Sequence, residues 1–179
     1  MIRRIALVAA LTVGLTGCGS DSKAPSGGDP VAWAEKVCSS VESEVAVLSQ
    51  QPDIDPSNAK QAKENLLTYL TNFSVALDRM STGIRDAGAP PVTDGAQAVE
   101  KVTGAIQDAK KGVDDAKSNL EKANVDNAED FQAAYTKVGE DMAKLAQFED
   151  PTKDLKANKE LNAAFDKAAA CKRLDGSGN

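Results

Sequence analysis

Residues 99–123 read VEKVTGAIQDAKKGVDDAKSNLEKA. Val99, Val102, Ile106, Ala109, Val113, Ala116, Leu120 and Ala123 recur at steps of 3-4-3-4-3-4-3, and most positions between them are polar, charged or glycine. That period gathers the apolar side chains into one stripe of an α-helix; a strand would alternate every second residue. The larger residues fall at one core position and mostly alanine at the other, so a neighbouring helix can approach closely. The stretch predicts a long helix that begins near Thr93 or Asp94 and packs against other helices.

The same period continues on both sides. Upstream, Leu66, Leu70, Phe73, Leu77, Met80, Ile84 and Ala87 step 4-3-4-3-4-3. Asp55-Pro56 supplies a cap and a first turn for this helix, and Gly88-Ala89-Pro90-Pro91 ends it. Earlier still, Asp29-Pro30 opens a helix carrying Val31, Ala34, Cys38, Val41, Val45 and Leu48, which Gln50-Gln51-Pro52 closes. Downstream, Asp126 or Asn127 caps a helix with Phe131, Tyr135, Val138, Met142 and Leu145. Asp150-Pro151 interrupts it, and a last helix holds Leu155, Leu161, Phe165, Ala168, Cys171 and Leu174. No stretch alternates with period two for the length of a strand. The expected fold is all-α: an antiparallel up-and-down bundle of four long helices over residues 30–174, the last broken near Pro151 into a fifth. Residues 175–179 read as a disordered tail.

Composition agrees with helices. Seven aromatics and no histidine leave an interior of Ala, Val and Leu, which long helices can use and a sandwich or barrel would not. The size fits one domain.

The first 29 residues differ in kind. Arg3 and Arg4 precede an apolar run from Ile5 to Leu15, then Thr16, Gly17 and Cys18. This is the layout of a secretory signal. The run reaches about 16 Å as a helix, half the hydrocarbon thickness, so it is too short to span. Leu15-Thr16-Gly17-Cys18 resembles the bacterial lipobox, and Gly19 to Asp29 forms a polar tether with a reach of roughly 18 Å. The resemblance implies a signal peptide of residues 1–17, cleavage between Gly17 and Cys18, and a flexible tether of residues 18–29. It also implies a diacylglycerol group on the Cys18 sulfur, with an N-acyl chain as a further addition. Two acyl chains supply stable anchoring. The competing reading is an ordinary cleaved signal with Cys18 incidental.

Cleavage there would remove Arg3 and Arg4, the only charges in residues 1–17, and take the formal charge from −6 to −8. An acidic body is repelled by nucleic acid and by anionic head groups, so lipid rather than a basic patch must hold it at a membrane. With Cys18 lipidated, Cys38 and Cys171 remain. Outside the cytosol they can form a disulfide closing a loop of 133 residues. Two buried free thiols are the alternative.

Little in the chain suggests catalysis. Without histidine the usual base of a hydrolytic triad is missing. Asp114-Asp115 and Glu140-Asp141 read as solvated charges. Asp53-Ile54-Asp55-Pro56-Ser57-Asn58 has the acidic look of a calcium loop but lacks the central Gly and distal Glu. No residue set suggests a metal. Asn72-Phe73-Ser74 is a glycosylation sequon placed in mid-helix. Trp33 lies off the apolar stripe of its helix: it either staples the base of the bundle or is an exposed anchor for a partner or the membrane interface. The turn containing Pro90 and Pro91 reads either as a helix–helix connection or as a recognition tip.

Lipobox, polar tether, early Cys38, the Gly-Ala-Pro-Pro-Val-x-Asp-Gly turn and near-terminal Cys171 together resemble small secreted helical lipoproteins of actinobacteria. That resemblance implies location and fold, and little chemistry. The function expected is a membrane-anchored, non-enzymatic envelope lipoprotein on the extracytoplasmic face of the cell membrane, meeting an envelope protein or glycan. The alternative is a carrier of a lipid or other apolar ligand, for which the seam of Ala109, Ala116 and Ala123 would leave room.

Overall fold

The computed structural model describes residues 28–145, 155 and 157–176. Among these the chain is all-helical: α1 (Pro30–Leu48), α2 (Ala59–Ala87), α3 (Gly95–Lys122), α4 (Ala128–Leu145), α5 (Lys159–Phe165) and α6 (Ala169–Gly176).

The helix ends follow from capping. Asp29 accepts a hydrogen bond from the Val31 amide at 2.9 Å with Pro30 in the first turn, as the sequence leads one to expect. The start of α2 differs from expectation. The Asp55 carboxylate is taken up by the amide and hydroxyl of Ser57, at 2.9 and 2.7 Å, in a tight turn. Asn58 caps the helix instead, accepting from Gln61 N. Asn127 caps α4 by accepting from the Asp130 amide at 2.9 Å.

α2 and α3 form the long axis of the molecule and run antiparallel for about 42 Å. Their register is fixed by polar contacts. Ser74 donates to Asp114 at 2.7 Å, Gln107 donates to Ser81 at 3.1 Å, and Lys63 donates to the carbonyls of Glu121 and Ala123. Between these contacts Leu70, Val113, Ala116 and Leu120 are fully buried. The predicted stripe of α2 is buried or half-buried throughout. Ala116, at the small-residue seam, meets neighbouring side chains with no exposure at all.

α1 lies antiparallel along the C-terminal half of α2. Lys36 Nζ donates to the Asp86 carbonyl, Ser40 touches Gly83, and the buried Glu44 faces Arg79 at 3.8 Å. From Ser49 the chain continues along the other half of α2, where Asn65 Nδ2 donates to the Asp53 carbonyl at 2.9 Å. Here α1 departs from the predicted pattern. Trp33 and Val37 are buried beside Ala34 and Cys38, while Val41, Val45 and Leu48 are only half-buried. The reason is that α1 has two partners. Its 33–37–40–44 face meets α2, and its 34–35–38–42 face meets α6.

α4 packs on α3 and lightly on α2. Phe131 and Val138 are buried, whereas Tyr135, expected in the stripe, is 43% exposed. The place beside α1 is taken by α5 and α6. These are two short helices, separated by a turn at Asp166–Ala168, where one last helix is expected. Asp175 and Gly176 belong to α6 and not to a tail. The change of direction predicted at Asp150-Pro151 lies outside the described residues, as do residues 177–179.

Candidate functional site

Cys18 and Gly17, expected to carry lipid and to flank a cleavage site, lie outside the described residues, as do all but residues 28 and 29 of the expected tether. The residues that open the helical body are described. Asp29 opens α1 at the same end as the α2–α3 loop, because Trp33 Nε1 donates to the Gly88 carbonyl at 2.8 Å. The indole also meets the Phe165 ring edge-on, with centroids 6.0 Å apart. Trp33 is 6% exposed, so the reading of it as an exposed partner anchor is corrected: its ring closes the joint between α1, the loop and α5.

The loop is shaped by its own backbone. Gly88 has φ +74°, and a Cβ at Gly95 would lie 2.3 Å from the Pro90 carbonyl oxygen, so glycine is required at both positions. Asp94, near which the helix is expected to begin, sits at φ 58° and its side chain makes no cap bond. Pro90 and Val92 are buried and Pro91 is half-buried. Pro90 is therefore a packing residue and offers no tip, which corrects the recognition reading for that position; Pro91 keeps part of its ring accessible.

Cys38 and Cys171 are joined in a disulfide with Cα atoms 5.0 Å apart. Two carboxylates on α1 add to it. Glu35 accepts from the Ala170 amide at 3.0 Å, at the start of α6, where a negative charge meets the positive helix end. Glu42 receives a paired hydrogen bond from Arg173, both contacts at 2.8 Å. That pairing holds the Glu42 carboxyl below its ordinary range and raises the Arg173 guanidinium above its own.

Other charges read as solvated have partners. Burial pushes the Asp114 carboxyl up, but hydrogen bonds from Lys110 and Ser74 outweigh it and leave the group lowered. Asp141 is held down at about 2 by hydrogen bonds from Lys137 and Lys144. Among the described residues, each carboxylate whose acidity is displaced, Glu42, Asp55, Asp114 and Asp141, is displaced downward and so stays ionised at neutral pH. Among the described residues no group of three His, Cys, Asp or Glu side chains is placed to hold a metal ion, and no helix is long and apolar enough to cross a membrane.

A second feature escaped the sequence reading. Between the 49–58 segment and α2 lies an open cleft of about 180 Å³, walled by Gln50, Gln51, Asn65, Thr68, Tyr69 and Asn72. Gln50-Gln51 reads in sequence only as a helix end, and Asn72 only as part of a sequon. The uneven share of amides over 50–72 is the one signal that pointed here. Comparison of the chain with protein-family models, with curated proteins and with solved structures returned no match.

Proposed function

We propose that this chain is a lipid-anchored protein of the cell envelope, a helical bundle that performs no catalysis and presents a surface to another envelope component. One observation carries the reading: Leu15-Thr16-Gly17-Cys18 stands between an eleven-residue apolar run and a polar tether. The anchor is a diacylglycerol thioether on Cys18, and the body stands on the extracytoplasmic side of the membrane. The Cys38–Cys171 disulfide supports that side, because such bonds persist in oxidising compartments. The tether end of α1 supports the geometry: Trp33, the α2–α3 loop and α5 meet there, so the other end of α2 and α3 projects away from the lipid. The acidic charge supports a hold by acyl chains over one by head groups.

The test is Cys18→Ser in the native cell. The variant should leave the membrane pellet, and the wild-type chain should carry a thioether-linked lipid in its mass spectrum. A Cys18→Ser chain that stays in the pellet would sink the proposal.

A further inference from the structure

The cleft between the 49–58 segment and α2 differs from the rest of the surface in chemistry. Charged residues make up 27% of the chain, yet Asp53 is the only charged residue lining this cleft. The other polar groups are side-chain amides and hydroxyls. The side-chain amides of Gln50, Gln51 and Asn72 hydrogen-bond to no described residue. Asn65 is held by its bonds to the Asp53 carbonyl and from Gln61, so one wall is fixed while the rim is free. Tyr69 lines the cleft, half-buried, and is braced edge-on by Phe73, with ring centroids 5.8 Å apart.

We infer that this cleft binds a neutral, hydroxyl-rich glycan chain. A side-chain amide offers two donors and an acceptor in one plane, which matches a pair of adjacent sugar hydroxyls. A fixed tyrosine gives an apolar ring for the C–H face of a sugar and a hydroxyl at its edge. A phosphate or polyanion would find no cation here, and a strongly basic peptide would find only Asp53. The volume holds one ring of a longer chain, with the open ends letting the chain pass through. Tyr69 lies about 28 Å along α2 from the Gly88 end where the tether joins, so the cleft faces envelope material beyond the membrane surface. The inference deepens the envelope proposal and rests on it for the presence of glycan around the protein.

The experiment uses the full chain purified in detergent from whole native cells, titrated calorimetrically with chitotriose, mannotriose and maltotriose up to millimolar concentration. At least one trisaccharide should bind. Gln51→Ala with Asn72→Ala should weaken it by about tenfold or more, since both side chains are exposed and their loss leaves the fold intact. Tyr69→Ala should abolish binding; Trp33 emission reports whether that variant is folded. Heparin serves as the charged control. No binding to any of the three sugars, equal affinity in wild type and the double variant, or heparin binding that the double variant also loses would each overturn the inference. Membrane fractionation of the same wild-type cells separates the two claims. A chain that pellets but binds no sugar refutes the cleft alone, and one that binds sugar but does not pellet refutes the anchor alone.

Discussion

Gly83 marks the closest approach of two helices. A Cβ there would lie 2.6 Å from both Cβ and Oγ of Ser40. In an exposed helix interior, glycine to alanine gains about 1 kcal/mol. At this crossing the sign reverses, because the added methyl must push α1 off α2. Gly83→Ala should lower stability by about 1–3 kcal/mol in chemical denaturation, and Ser40→Gly in the same chain should show a favourable coupling with it. A more stable Gly83→Ala would mean that α1 and α2 do not meet at this distance. Asp141 makes a different prediction. Its folded pKa of about 2 lies below the value of a free aspartate, so its ion pairs stabilise the fold above that ordinary range. The stabilisation fades as pH falls through about 4 towards 2. Lys137 and Lys144 are half or more exposed, so screening leaves about 0.5–1 kcal/mol. Asp141→Asn should therefore lower the denaturation midpoint at neutral pH, with the difference from wild type shrinking as the pH approaches 2. A constant difference across that range would contradict the ion-pair account.

α6 has eight residues, too few to be helical on its own in water. It is held by the disulfide to Cys38, the Glu35 carboxylate at its amino end and the Arg173–Glu42 pair. Of these the covalent bond is the largest, with an upper figure of about 4–5 kcal/mol for a loop of this length. Reduction should free α6 and loosen α5, whose Phe165 leans on Trp33. Because Trp33 is the only tryptophan, its emission reads that joint directly. We expect reduction to shift the emission to longer wavelength and to lower the denaturation midpoint. Unchanged emission with both thiols alkylated would show that α5 and α6 hold their place without the disulfide. The two central helices needed no such clasp, and they were also the most legible in the chain. Each of them has its apolar stripe buried or half-buried along its whole length, so the heptad steps point at the core. α1 was half legible, since the stripe read from sequence is only one of its two buried faces.

The protein is acidic, with a long two-helix axis and short helices clasped to the end where Asp29 opens α1. If acyl chains hold it at the membrane, a high-salt wash should leave it in the pellet and detergent should release it, because salt screens exposed charges and leaves hydrophobic anchoring in place. Release by salt alone would point to an electrostatic hold. The all-helical class, the long second and third helices, the cap at Asp29 and the pairing of two cysteines were legible in the chain, because 3.6-residue periodicity, capping and cysteine number are properties of local sequence. Three things needed the folded arrangement: the burial of Trp33 and Pro90, the division of the last helix, and the amide-lined cleft. Trp33 is buried because α5 and the Gly88 carbonyl happen to meet it. Gln50 and Asn72 line one cleft because the segment after α1 lies along α2. No short-range pattern connects residues that only long-range packing brings together.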